Sequence, residues 1–597
     1  MKSDAILLYR NDLTPSDLHV MKIINFMGGS VNPVQVQQKG LACEEFTSRF
    51  SGCLIVSAQT LSEVSIEAGM GLGLRRALLS VGSKALVYGF EPIPPHNRLL
   101  QELTSGGLIG VQQLQAGGYN FKIAENSRDI CEQLTGLSFR ITSTTEKASF
   151  IEGKETGCSS LIRIGEWPFF VNMKDQCGQL FLLATTQIAD LDAKVSRQAT
   201  LLQWFPDLAP LMMFMRSALA NQLWHNDRPT ACFIVDDPLL KKRYGFLEYH
   251  KLFDVMQRKE FSTSIAFIPW NCRRSSQSVA DLFAAHPERS SLCIHGCDHT
   301  GQEFGGFSHW FLKGQAQKAL DRMTMHYRLS GLPFDDIMVF PQGVFSSVAI
   351  TALKSCGYLA AVNSTMHSSD RGDEITLRDL AGVAMTRFSN FPVFIRRYPS
   401  SVVELAFDLF LGKPALLVEH HSYFQDGYDA LAECIDKIRS FDMQVEWTSL
   451  ARICSRACLK RVSGEGEIHV KFFGDRFVMQ NDSELPQRYV LFREQLHEDP
   501  VTEIKVNNLK SDYVQDEGCV RFSFFLDPGQ TAEVRVHFSR REEKSTPPNM
   551  SWSYNTKVFT RRHLSELRDN YIERSQLLTK AAVKCRSLFI KRDTVKL

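Results

Sequence analysis

Cys232-Phe233-Ile234-Val235-Asp236-Asp237-Pro238 is an apolar run of strand length that ends in two adjacent carboxylates and a proline. Leu292-Cys293-Ile294-His295-Gly296-Cys297-Asp298-His299 is a second such run, ending in two histidines four positions apart. Outward from this pair, strand-like segments recur at 231–235, 264–267, 292–294, 337–340, 360–362 and 415–418. Helical patterns at 249–259, 314–330 and 347–356 lie between them. Repeated βα units of this kind predict a parallel, distorted (β/α) barrel. In such a barrel the polar residues at the carboxyl ends of the strands form the active face. Asp236, Asp237, His295, His299 and His420 all fall at or just after predicted strand ends.

Three protein ligands and an open position for water make a catalytic metal site. Asp237, His295 and His299 supply such a set, and Gly296 permits a tight backbone directly after His295. Two histidines and a carboxylate suit zinc, cobalt, nickel or iron, and the ligand set does not choose among them. Asp298 is a candidate to orient a ligating histidine. Asp236 beside the ligand Asp237 is the candidate general base. Adjacent strand side chains point to opposite faces, so both carboxylates serve one site only where the strand ends, and Pro238 fits that break. The candidate acid for the leaving group is His420 or His421, since imidazole titrates near neutrality.

These motifs resemble the polysaccharide deacetylase family, carbohydrate esterase family 4. The resemblance rests on Asp236-Asp237, His295…His299, Pro341-Gln342-Gly343 and Leu417…His420, in family order, within residues 226–462. It implies a distorted (β/α) barrel with Asp236 as base, His420 as acid and Asp237, His295 and His299 as ligands of a divalent metal, zinc first. It also places Pro341 and Gly343 near the substrate. Two positions depart from the family. Pro238 stands where a glycine is usual, and Val339 stands where an arginine orients the base. Arg243, Arg273 and Arg387 are the candidates for the arginine's place. A Cys293/Cys297 zinc site is a lesser alternative. Phe304, Phe307, Trp310 and Phe345 are candidates for a sugar-stacking cleft or for core packing, with His309 and Asn271 nearby.

The 597 residues carry 44% hydrophobic and 22% charged side chains, an α/β multidomain composition. A net charge of +2 argues against a nucleic-acid partner. No apolar run reaches the ~18–20 residues that span a bilayer, and the start does not read as a secretory signal. The 15 cysteines show no disulfide framework. Together these predict a cytoplasmic protein. Residues 1–225 read as an α/β layer domain with strands at 5–9, 53–56, 85–88 and 179–184, closed by a Met-rich linker helix within 201–224. Gly69-Met70-Gly71-Leu72-Gly73 reads as a tight turn rather than a phosphate loop. Residues 463–543 read as a small antiparallel β-sandwich, and 544–597 as a linker and basic helix.

The function implied is a metal-dependent hydrolase that removes an acyl group, N-acetyl first, from an amino sugar of a glycan or surface-polysaccharide precursor. A catalytically inactive deacetylase-like glycan-binding or assembly module is the alternative. Protein partners are not legible.

Overall fold

The computed structural model describes residues 3–36, 52–68, 74–81, 83–154, 157–174, 176–495, 500–516, 518–539 and 551–575. The Gly69–Gly73 stretch, the linker to residue 550 and the tail beyond residue 575 lie outside them.

The protein is mixed α/β, built around a nearly closed parallel sheet. Its strands, numbered within this sheet, are β1 (Thr230–Asp236), β2 (Thr263–Phe267), β3 (Ser290–His295), β4 (Ile337–Val339), β5 (Ala360–Asn363), β6 (Val393–Ile395) and β7 (Ala415–His420). They lie in the order β6-β5-β4-β3-β2-β1-β7. Arg397, just past β6, bridges to Leu417 of β7 and nearly closes the ring. Its amide donates to Leu416 O at 2.8 Å and its carbonyl accepts from Val418 N at 2.9 Å.

Alternate residues along each strand enter two different cores. Cys232, Ile234, Cys293, Val339, Phe394 and Val418 pack with one another inside the ring. Their neighbours Phe233, Val235, Ile294, Met338, Val393 and Leu417 pack outward. A parallel strand buried on both faces requires the near-continuous apolar runs seen in the sequence. The inward parity then decides the chemistry. Continued one step to each strand's carboxyl end, it brings Asp236, His295, Arg396 and His420 over the lumen.

Six of the seven strands match the sequence reading within a few residues. The sequence reading does not include β6, which is three residues long and directly follows Pro392.

The N-terminal region forms a nine-stranded sheet. Its parallel half contains Val31–Gln35, Ala5–Tyr9, Cys53–Ser57 and Lys84–Tyr88, joined by Gln179–Leu183. The other half, Trp167–Lys174, Ser159–Ile164, Gly117–Ile123 and Ser138–Ser143, is antiparallel. The sequence reading holds four of these strands, at 5–9, 53–56, 85–88 and 179–184, and misses Val31–Gln35 and the antiparallel half. Gly117–Ile123 alternates buried and exposed positions without a strong apolar run, whereas Trp167–Lys174 carries a buried apolar run that the sequence reading does not include. The helix Phe205–Leu219 buries Met212, Met213 and Met215 between this layer and the barrel. Phe205 meets Phe407 of the barrel edge to face at 5.8 Å, and one continuous core runs through both regions.

Residues 458–538 form a five-stranded and a four-stranded sheet around a separate core that includes Val470, Phe477, Leu491, Ile504 and Val534. The pairing is not wholly antiparallel. Ile468–Phe472 and Gln487–Glu494 run parallel. The strand between them, Arg476–Gln480, belongs to the other sheet, so the chain re-enters in its original direction.

The tail helix Trp552–Leu567, continued by a wider turn at Arg568–Ile572, docks on this same chain at the barrel mouth. Glu566 takes Lys241 Nζ at 2.7 Å and also binds Arg274. Trp270 packs edge-on against Phe559 and His563. Among the described residues no helix is long and apolar enough to cross a membrane.

Candidate metal centre and catalytic site

Asp236 is the last residue of β1, and the strand breaks at the next residue. Asp237 has φ +76°, a left-handed conformation that aspartate tolerates better than most residues. That rotation removes the strand alternation which would have sent the two carboxylates to opposite faces. Asp237 Oδ1 lies 3.1 Å from His295 Nε2 and 3.0 Å from His299 Nε2. Ligand atoms of these three residues all lie within 4.8 Å of one another.

A cation fits this trio on the geometry of the donors. His295 Nδ1 lies 3.0 Å from the Val339 carbonyl. A carbonyl only accepts, so Nδ1 carries the hydrogen and Nε2 of the neutral ring presents a bare lone pair. That lone pair faces Asp237 Oδ1, a buried atom with no hydrogen-bond partner. Converging lone pairs repel until a cation lies between them. Exposure shows where the site opens: the His295 and His299 side chains are 1% and 12% exposed, but that of Asp237 is 23% exposed.

Glu303, which the sequence reading missed, shapes the histidine loop. Its buried carboxylate accepts from the backbone amides of Cys297 at 2.8 Å, Asp298 at 3.1 Å and His299 at 3.1 Å. Gly296 is required beside it. Its φ is +64°, and an added Cβ would come within 2.0 Å of Glu303 Oε1 and 2.4 Å of Pro341 Cγ. Gly296→Ala is therefore expected to displace Glu303 and open the loop. It should lower stability by about 1–3 kcal/mol and weaken metal binding at least tenfold, as read by urea denaturation and a metal titration. Unchanged metal affinity would show that the loop's shape does not matter.

Asp236 has an arginine partner. Arg396, one residue past β6, donates Nη1 to Asp236 Oδ1 at 2.7 Å and Nη2 to Asp236 Oδ2 at 2.8 Å. Both side chains are buried. Burial pushes the Asp236 carboxyl up, but the Arg396 guanidinium beside it holds it below its usual value. The three candidates from sequence are corrected. Arg387 bonds Asp379 at 2.7 Å, Arg273 reaches the Met325 sulfur at 3.3 Å, and Arg243 is exposed in a short hairpin.

His420 ends β7 directly opposite Asp236 in the strand register, at the mouth of the ring. Pro341 is buried against Gly296, and Gly343, φ +68°, gives its carbonyl to Asn363 Nδ2 at 2.9 Å. Asp298 does not orient a histidine. Its buried carboxylate is bound by Arg322 at 2.6 Å, Lys318 at 3.0 Å and the Tyr554 hydroxyl at 3.0 Å. His421 turns away from His420, toward Asp569 at 3.6 Å and Glu573 at 3.8 Å. Cys293 and Cys297 are buried, with burial pushing both thiols well up, and neither joins the metal cluster. Phe304 and Phe345 are core residues, whereas Phe307 and Trp310 are 74% and 50% exposed.

No protein-family model matches the chain, and no curated protein matches it. Among solved structures, the chain is similar to Agd3, described as a novel carbohydrate deacetylase, at 9% identity and a TM-score of 0.43 over 89% of this chain and 98% of that one. It is similar to a carbohydrate esterase family 4 pseudoenzyme from Bacillus anthracis at 10% identity and a TM-score of 0.25, over 38% of this chain and 66% of that one. A family 4 carbohydrate esterase from Streptomyces lividans, solved with acetate, aligns at 9% identity and a TM-score of 0.25 over 38% of this chain and 94% of that one.

Proposed function

We propose that the protein is a metal-dependent hydrolase that removes an acyl group, N-acetyl first, from an amino sugar. The observation that carries this is one mouth holding three convergent ligand atoms, a carboxylate held bidentate by an arginine, and an opposed histidine. A divalent ion at Asp237, His295 and His299 would polarise the acyl carbonyl and acidify water. Zinc fits the donor set first, with cobalt, nickel or iron as alternatives.

The chain's own groups do the rest. Arg396 fixes Asp236 at both oxygens and keeps it ionised, so a remaining lone pair on a carboxylate oxygen takes the proton of the attacking water. His420, across the register from Asp236, gives a proton to the departing amine. A glycan precursor in the cytoplasm is the proposed substrate, and 1–225, 226–462, 463–543 and 544–597 are the proposed domains. Because Arg396 holds Asp236, the lack of an arginine at position 339 does not favour the alternative, a catalytically inactive glycan-binding or assembly module.

The test is acetate release by the full chain, loaded with zinc or cobalt, from N-acetylglucosamine oligomers and from nucleotide-linked N-acetylglucosamine. Release that stops on chelation and returns with metal is the expected result. No release from any acylated amino sugar, with metal bound, would overturn the proposal.

A further inference from the structure

The tail helix crosses the barrel mouth with one face inward. On that face lie Tyr554, bonded to Asp298 at 3.0 Å, then Val558, Arg562 and Glu566, bonded to Lys241 at 2.7 Å. Arg562 stands on that face between these two contacts, one turn before Glu566, and the two loops they reach each carry a residue of the proposed metal site. The β1 loop runs from Asp237 to Lys241 and Tyr244. The β3 loop runs from His299 to Gly301, where the ideal Cβ position is 3.6 Å from Nη1 of the neighbouring Arg561.

Arg562 is 5% exposed. Its Nε has no hydrogen-bond partner, and among the described residues its guanidinium forms no ion pair or ring contact. The carboxylates closest along the helix are already taken. Glu566 is held by Lys241 and Arg274, and Asp569 by Arg568 and the Tyr244 hydroxyl. The Tyr244 phenol lies within electrostatic range of both Arg562 and Asp237. A buried guanidinium without a counter-charge is unfavourable and is relieved when an anion binds. Its planar fork matches the oxygens of a carboxylate or phosphate.

We propose that Arg562 is a specificity residue that binds an anionic group, carboxylate or phosphate, on the sugar substrate beside the metal site. The inference rests on reading that site as an amino-sugar deacylase, and it narrows the substrate to an acidic or phosphorylated acyl amino sugar.

The test is a calorimetric titration of the full chain, stripped of metal by chelation, with N-acetylglucosamine, N-acetylmuramic acid and N-acetylglucosamine 1-phosphate. The wild type is expected to hold at least one charged sugar tenfold or more tighter than the neutral one. R562Q should erase that preference and leave the neutral affinity unchanged, while R562K retains part of it. The charged sugar bound more tightly assigns the anion as carboxylate or phosphate. Equal affinity for all three sugars, no detectable binding of either charged sugar, or a preference that survives R562Q overturns the proposal. The titration needs neither metal nor turnover. Its failure therefore leaves the deacylase reading standing, and absent turnover leaves the binding result intact.

Discussion

Asp236→Asn is expected to lower kcat by ~10²–10⁴-fold while the bound metal stays near its wild-type amount. The substitution keeps the size and shape of the side chain and removes its basicity. The three proposed ligand atoms belong to Asp237, His295 and His299, so the substitution leaves them in place. Steady-state turnover on whichever substrate releases acetate fastest, paired with metal analysis of the same sample, separates the two effects. Full turnover in the variant would remove Asp236 as the base. Loss of metal together with turnover would instead make Asp236 part of the metal site.

Arg396→Ala is expected to lower folding stability by about 3–5 kcal/mol, because it leaves the Asp236 carboxylate buried without its counter-charge. Asp236 and Arg396 are both buried, and two hydrogen bonds of 2.7 and 2.8 Å join them. The double variant Asp236→Asn/Arg396→Ala should lose less than the sum of the two single variants, since it strands neither charge. Urea denaturation of the four proteins measures this coupling. A loss under about 1 kcal/mol for Arg396→Ala would mean that the pair behaves as an exposed one does.

How the site is divided between sequence and structure follows from which of its contacts are local. Asp236 and Asp237 end the apolar run 231–235, and His295 and His299 follow 292–294, where strand, turn and polar tip are all local features. His420 is legible for the same reason. Arg396 is not. It follows a three-residue strand after Pro392, and it meets Asp236 only because the ring nearly closes between β6 and β7. That closure is a long-range property with no local signature. Its one trace in the sequence is parity, since Arg396 continues the inward register of Phe394 once β6 is known to be a strand.

Glu303 was missed for a different reason. A glutamate just past a histidine motif reads as a surface residue until the loop folds back and turns three backbone amides toward it. The docking of the tail helix was equally hidden. The basic pattern of 561–592 suggests a solvated or packed helix, but the inward face becomes visible only through the partners of Tyr554, Glu566 and Asp569. In the antiparallel half of the N-terminal sheet, Gly117–Ile123 lacks the apolar run that betrays a parallel strand, although Trp167–Lys174 has one.

The measurement that bears most directly on the metal centre is the metal content of the purified full chain by mass spectrometry, beside a His295→Ala/His299→Ala variant, each after incubation with zinc or cobalt and removal of the excess. About one ion per wild-type chain, lost in the variant, is the expected result. No metal in either protein would contradict the assignment of Asp237, His295 and His299 as ligands and the hydrolytic function built on them.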